Sequence, residues 1–444
     1  MSDVRPKSAI DDFISRIRTL ETLCVAVSGG SDSMALLHLL HQRLNGAEKP
    51  RLVAVTVDHG LRPAAADEAG QVAEFCRSRK IEHRIMKWSG KKPDSGLQNA
   101  ARNARYELLR EAALSFKTTA IVTAHNRDDQ IETIRMRQRR GMGRGLSGMA
   151  DAVLFRRDCW ILRPLLRVRR SALQDVLQKA GITWTDDPSN RDRRFERVRI
   201  RLEGSDPSAD DELLSMVEAM ADARRKDGDR LARFLQDNVI IHGDMIAELP
   251  QVPEGLSDIL QQAVALLAAL LGGRAYLPGS RSQDHIARFV AGGGPPRVNL
   301  SRSVLDRRAR RVFIYRERRS VPTIHVAAGA SAIWDGRYHF ANYYKKSEIV
   351  IGPAEEDPEL IPQDLPDHLP RGIISRAARS QPAVIVAQSR SKTMKKLPVY
   401  GSKQLAAARY FTHFDLFLPD FERNVANECA ALFGLPPYPE PPLK

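Results

Sequence analysis

The sequence predicts an α/β protein built on a doubly wound parallel sheet, followed by a helical region and a small β-rich region. Three observations carry this. Short runs rich in β-branched residues recur about every 30 residues in the first half, at Leu23–Ser28, Arg51–Asp58, Ile81–Trp88 and Thr118–His125. Helical stretches separate them, at Asp32–Leu44, Ala65–Lys80 and Leu97–Phe116. Strands alternating with helices at this spacing make crossover units and a parallel sheet. The polar motifs fall at the carboxyl ends of the strands, where such sheets hold ligands.

The later chain reads differently. The stretch "EGSDPSADDE" (Glu203–Glu212) is acidic, small and proline-bearing, and reads as a linker. From Leu213 to about Val290 the pattern is helical. From about Ser320, short strand-like runs such as "AIWDGRYHFA", "EIVIG" and "AVIVAQS" alternate with turn residues, and the tail "LPPYPEPPLK" reads as extended. The expected domains are 1–205, 206–320 and 321–444.

Composition narrows the class. With 444 residues and 43% hydrophobic content the chain can build real cores. A net charge of +15 favours a polyanionic partner, most simply nucleic acid. Cys24, Cys76, Cys159 and Cys429 are far apart, which argues against a disulfide framework, a zinc knuckle or a clustered iron–sulfur site. The N-terminus lacks an apolar signal core, and "AVALLAALL" (Ala263–Leu271) is too short for a membrane helix, so no membrane association and a cytoplasmic location are expected.

The stretch "AVSGGSDSMALL" (Ala26–Leu37) runs from a strand through two glycines into a helix. Glycines there let the backbone approach a ligand, and the free N–H groups at the helix start form an anion site. Ser28, Ser31 and Ser33 add hydroxyl donors, and Ser31 or Asp32 is expected to cap the helix. The lysine of a Walker A loop and the G-x-G-x-x-G of a dinucleotide fingerprint are both absent. Asp32 would repel phosphate unless a cation such as Mg²⁺ bridges the two.

A second dense motif is "TAHNRDDQIET" (Thr123–Thr133). His125 ends a strand, and Asp128, Asp129 and Glu132 follow at a helix start. Asp128 and Glu132 (i,i+4), or Asp129 and Glu132 (i,i+3), can share a face. Two acids facing one space suit an ammonium group; one suits a metal. Arg102 and Arg105 share a face of the preceding helix. His59 is either a turn histidine bonded to backbone or a direct participant.

S-G-G-x-D-S resembles the pyrophosphate loop of N-type ATP pyrophosphatases, the PP-loop superfamily. Within it the chain resembles the tRNA(Ile)-lysidine synthetases, on "VDHGLR" (Val57–Arg62), "QNAARNARY" (Gln98–Tyr106), "TAHNRDDQIET", "RGMGRGLSGM" (Arg140–Met149), "RPLL" (Arg163–Leu166) and "DDPSN" (Asp186–Asn190), in the family's order over about Leu23–Arg201. The resemblance implies ATP-dependent ligation of free L-lysine to C2 of the first anticodon cytidine of a CAU-bearing tRNA(Ile), through an adenylated cytidine. Decoding then changes from AUG to AUA. It implies an ATP cradle of Ser28, Gly29, Gly30, Ser31, Asp32 and Ser33, with Asp32 as the Mg²⁺ carboxylate. It further implies lysine binding by Asp129 and Glu132, and His125, Asp128 and Arg105 at the reacting centre. Family members often form homodimers.

Three arginine-rich runs fit phosphate contacts to tRNA: Arg135–Arg144, Arg191–Arg201 and Arg297–Arg319. Arg140, Arg144, Arg199 and Arg201 are the expected contacts beside the active site. One departure from the family is "IRMRQRRG", where Arg135, Arg137 and Arg139 interrupt a segment that is usually more apolar. Either that helix is more exposed or it touches RNA. Two other functions remain open: another PP-loop tRNA-modifying enzyme, such as a thiolase, or a nucleotide-dependent RNA-binding protein. Thiolases of that kind commonly use paired cysteines, which this chain lacks.

Overall fold

The fold is described from a computed structural model. It covers all residues except 1–3, 18–19, 61–63, 91, 94, 142–143, 187–191, 205, 251–256, 310, 355–364, 387–394 and 398–403. The chain forms two compact units. One comprises 1–225 with short C-terminal pieces at 419–421 and 439–444; the other comprises 226–418 and 422–438.

The first unit contains α1 (Pro6–Arg16), β1 (Thr22–Ala26), α2 (Ser31–Leu44), β2 (Arg51–Asp58), α3 (Ala64–Ser78), β3 (Glu82–Lys87), α4 (Leu97–Ser115), β4 (Ala120–Val122), α5 (Arg127–Arg139), β5 (Ala152–Phe155), β6 (Cys159–Leu162), α6 (Arg170–Lys179) and α7 (Glu196–Leu202). The six strands supplied by residues 1–225 lie in the order β5-β6-β4-β1-β2-β3. β1 pairs in parallel with both β2 and β4, β2 with β3, and β4 with β6; only β5 is antiparallel. The four strands and three helices expected for the first half are all present.

β1 is buried along its whole length because Thr22, Leu23, Cys24, Val25 and Ala26 are covered by neighbours on every side. From β1 the chain builds outward to β2 and β3, then returns to place β4 on the other flank. The order therefore reverses between β1 and β4. The crevice outside their carboxyl ends is where an open α/β sheet receives its ligand. The S-G-G loop leaves β1 at that crevice, and His125 follows β4.

Three expectations need correction. The Glu203–Glu212 stretch is not a linker, because α8 (Pro207–Asn238) begins within it. Asp210 is buried there and accepts from Arg135 at 2.7 Å. A short proline-bearing stretch starts a helix as readily as it breaks one, since proline is tolerated in a first turn. The interval from Leu213 to Val290 is not helical throughout. β7 (Ile240–His242) and β8 (Ile246–Pro250) interrupt it as a hairpin before α9 (Ser257–Leu271) and α10 (Ser280–Val290). Finally, the arginines that interrupt "IRMRQRRG" are not simply exposed, since Arg135 and Arg137 are half-buried. Arg135 bonds Asp210 and the Gly204 carbonyl, Arg137 bonds the Gly145 and Gly148 carbonyls, and Arg139 pairs with Glu203.

In the second unit, β9 (Arg297–Leu300), β10 (Ser303–Arg308) and β11 (Arg311–Arg316) complete a sheet in the order β7-β8-β11-β10-β9. The arginine-rich run at 297–319 is thus largely strand. Arg297 and Arg308 hold Asp306, and Arg316 is buried on Asp335. β structure therefore starts earlier than Ser320. Beyond it, β12 (Ile324–Val326), β13 (Ser331–Trp334), β14 (Tyr338–Asn342), β15 (Ile349–Pro353), β16 (Pro382–Val386), β17 (Lys395–Leu397) and β18 (Leu405–Arg409) form two small sheets. Helix α11 (Arg371–Ala378) lies between β15 and β16. The "AIWDGRYHFA" stretch is the β13–β14 hairpin, while Ala387 to Ser389 of "AVIVAQS" lie outside the described residues. The "AVALLAALL" stretch lies in α9 and is buried throughout. Among the described residues no helix is long and apolar enough to cross a membrane.

Candidate active site

At the end of β1 the chain turns through Ser28, Gly29 and Gly30 into α2. Gly29 has φ +86°, and a Cβ there would lie 2.9 Å from Thr185 Oγ1. The Thr185 N–H donates to the Gly29 carbonyl at 2.9 Å, so the loop is clasped from the segment after α6. Within the loop the Ser28 N–H donates to Ser33 Oγ (3.1 Å), and that hydroxyl donates to the Gly30 carbonyl (3.0 Å). The expected cap by Ser31 or Asp32 is not made. Gly30 is the N-cap, and no side chain caps the helix. Both residues already lie inside the first turn, so their hydroxyl and carboxylate cannot take the cap position. The N-terminus of α2 is left to serve an anion.

That N-terminus opens into a cavity of about 700 Å³. Ser28, Gly30, Ser31, Asp32 and Ser33 line one side; Arg105, Thr123, His125 and Asp129 line another. Arg170, Gln174, Trp184, Thr185, Asp186, Arg197 and Arg201 close it. The expected cradle residues other than Gly29 therefore share one space with Arg105, His125 and Asp129. Asp128 and Glu132 lie behind the wall.

The acids on α5 have distinct duties. Asn126 and Asp129 form a capping box: the Asp129 N–H donates to Asn126 Oδ1 (3.0 Å) and the Asn126 N–H to Asp129 Oδ2 (3.1 Å). This leaves Asp129 Oδ1 facing the cavity, where Arg170 (2.7 Å) and Arg197 (2.9 Å) bond it. Asp128 is turned away and accepts the Arg170 backbone N–H at 2.8 Å, which holds the start of α6. Glu132 is 4% exposed and receives three guanidinium groups: Arg197 (2.6 Å), Arg201 (2.8 Å) and Arg170 (3.3 Å). Burial alone would raise its carboxyl; the arginines more than reverse this and hold it below the ordinary range.

Arg170 links the two halves of the site. Its Nε also donates to Asp32 Oδ2 at 3.2 Å. Asp32 is pushed up to about 6, chiefly by burial, with Asp129 and Asp128 adding like charge and Arg170 opposing. His125 receives or donates a 3.0 Å bond between Nδ1 and the Thr123 hydroxyl. Its ring is held well below the usual imidazole range by burial and by Arg163, Arg105, Arg102 and Arg197. It is therefore neutral at pH 7. Among the described residues Arg105 has no carboxylate partner, which leaves its charge available to the cavity. Arg102 instead lies over the Tyr106 ring at 5.1 Å. His59 meets Trp88 edge-on at 6.1 Å and does not line the cavity.

The expected RNA contacts are distributed differently. Arg140 is exposed and pairs with Glu196. Arg199 is exposed and donates to the carbonyls of Arg193 and Arg194. Arg201 reaches inward to Glu132. The Arg144 side chain lies outside the described residues, as do Leu61, Arg62, Met142, Gly143 and Asp187 to Asn190 of the motifs above. Cys24, Cys76 and Cys159 are buried and their thiols pushed up to about 12, mainly by desolvation, so none supplies a thiolate for sulfur transfer.

Sequence reasoning missed Arg170 and Arg197 as site residues. A signal for Arg170 was present: it begins a helix, where the dipole disfavours a cation unless acids hold it. Trp184 and Gln174 carried no comparable signal.

A PP-loop domain model matches residues 3–204. Over nearly its full length the chain is similar to proteins named tRNA(Ile)-lysidine synthase. The one from Rhizobium meliloti is 35% identical over 99% of this chain and 98% of its own. That from Mesorhizobium japonicum is 37% identical over 100% and 99%, and that from Brucella anthropi 34% over 93% and 94%.

Proposed function

The chain belongs to the tRNA(Ile)-lysidine synthase family, and we propose that it joins free L-lysine to C2 of the first anticodon cytidine of a CAU-bearing tRNA(Ile). The observation that carries this reading is the shared cavity. It sets an uncapped helix N-terminus, suited to phosphate, beside Asp129, a carboxylate suited to an ammonium, with Glu132 bonded to the same arginines behind it.

In the first half-reaction the α2 N-terminus and Ser28, Ser31 and Ser33 hold the triphosphate. The cytosine O2 attacks the α-phosphorus and pyrophosphate leaves. Arg105 neutralises charge that builds on the transferring phosphate. Asp32 is the residue that would hold Mg²⁺: it shares the cavity with the Ser28, Ser31 and Asp129 oxygens, the hard donors this ion prefers, and would exchange its Arg170 contact for the ion. The ion would neutralise phosphate charge.

In the second half-reaction Asp129 and Glu132 receive one ammonium of lysine, in place of guanidinium contacts they make here. The other amine attacks C2 and AMP departs with the O2 oxygen. The proton that the attacking amine releases can pass to the departing AMP phosphate or to water, while His125 stays neutral. Exposed Arg140 and Arg199 supply phosphate contacts that position the anticodon loop.

The test omits lysine. Purified protein with ATP, Mg²⁺ and a CAU-bearing tRNA(Ile) transcript should release pyrophosphate and accumulate adenylated tRNA, and tRNA without a wobble cytidine should not support this. Equal pyrophosphate release without tRNA would overturn the order of steps.

A further inference from the structure

A second cluster of titratable side chains lies in the second unit, among groups that the proposed reaction does not use. Ile240 pairs with Glu248, and His242 with Ile246, across the β7–β8 hairpin. His242 and Glu248 are therefore diagonal neighbours on one face, close enough for long side chains to meet. His242 Nε2 lies 2.6 Å from Glu248 Oε2. His368, in the turn before α11, brings its own Nε2 to 3.1 Å from the same oxygen. The other oxygen, Oε1, accepts from Arg311 on the neighbouring strand.

Core packing fixes this convergence. Leu369, next to His368, is buried in one apolar cluster with Met245 and Ile246 of the hairpin and with Ile373 and Ala377 of α11. The three ligand atoms all lie within 4.8 Å of one another. Glu248 is 1% exposed, whereas the His368 side chain is half exposed, so one side of the cluster is open to solvent. Among the described residues this is the one group of three His, Cys or carboxylate side chains with ligand atoms so close together.

We propose that His242, Glu248 and His368 bind a single divalent transition-metal ion of the zinc class, tying the turn before α11 to the β7–β8 hairpin. Two imidazole nitrogens and one carboxylate oxygen are a complete protein ligand set for zinc, with water in the fourth position on the exposed side. Arg311 on Oε1 orients the carboxylate, so that it offers Oε2 alone. Each imidazole coordinates through an unprotonated Nε2 and carries its proton on Nδ1. The hydrogen bonds now made to Oε2 are exchanged for bonds to the ion, and the Nε2 protons they use are released or moved to Nδ1.

The test uses the full chain, stripped with EDTA and titrated with Zn²⁺ against a chromophoric chelator. A parallel Co²⁺ titration is read by visible absorption. His368→Ala is the main variant because that side chain is half exposed and its loss leaves the core intact. The expected result is one Zn²⁺ per chain that protects against thermal unfolding, with affinity weakened by about tenfold or more in His368→Ala. Co²⁺ should give intense tetrahedral bands that this variant loses, while its Tm in EDTA matches the parent's. Equal Zn²⁺ affinity in parent and His368→Ala, or Co²⁺ bands unchanged by the substitution, would overturn the proposal. So would an absence of binding in the parent.

Discussion

Glu132 illustrates how one residue's environment sets its task. Its carboxylate is buried, yet three guanidinium groups keep it charged. An incoming ammonium therefore meets a pocket already organised around positive charge and exchanges with arginine contacts. Glu132→Gln keeps the size and removes the charge. A charge-assisted hydrogen bond contributes about 1.5–3 kcal/mol, so the lysine KM should rise roughly 10- to 100-fold. The ATP KM should stay near its parent value. Steady-state kinetics with each substrate varied in turn will check this, and equal rises in both constants would remove the lysine pocket from α5.

Asp32 gives a pH prediction at the same scale. Its carboxyl lies at about 6 in the native protein, above its usual 3.8. The native state thus binds this proton more tightly than the unfolded chain does. The resulting stabilisation is complete below about pH 4 and is lost as pH rises through 6. Asp32→Asn should therefore raise Tm by a few degrees at pH 8 and leave it almost unchanged at pH 3.5. A difference independent of pH would show that the carboxyl is not raised. The same substitution should abolish modification of tRNA.

Individual residues were partly legible in the sequence. Ser28, Gly29, Asp32, His125 and Asp129 stand in motifs whose spacing has a mechanical reason. Arg170 and Arg197 do not, because their role depends on two later helices folding back onto α5. Asp128 shows the reverse. Its place in the acidic motif suggested chemistry, but the first turn of α5 points it at the backbone of α6.

At the scale of elements, the β1–α2 turn depends on one glycine. Gly29 has a positive φ and no room for a Cβ beside Thr185. Gly29→Ala would strain the backbone and push the clasp from Thr185 aside, displacing the first turn of α2. The expected outcome is an ATP KM raised by at least about tenfold with tRNA affinity retained, as positioning losses of this kind are steep. Isothermal titration with ATP and a filter-binding assay with tRNA will separate the two, and unchanged ATP affinity would place the nucleotide elsewhere.

The parallel strands were readable because each is a short apolar run between helices. β7 and β8 were not, since "IIHGDMIAELP" sits between two strongly helical stretches and holds only a few residues per strand. The arginines of 297–319 hid three strands for a related reason. Their charges mask the alternation, although Asp306 and Asp335 fold several of them into ion pairs.

Across the whole molecule, sequence and structure agree on a catalytic α/β unit with a strongly basic chain, and the family match extends over nearly all of both chains. The four buried cysteines leave no thiolate pair for sulfur transfer. Lysine transfer is read most directly by mass spectrometry of CAU-bearing tRNA(Ile) incubated with the protein, ATP and isotopically labelled L-lysine. The label should appear on the wobble cytidine alone, with one AMP and one pyrophosphate formed per lysine attached. ATP consumption that leaves the wobble cytidine unlabelled would contradict it.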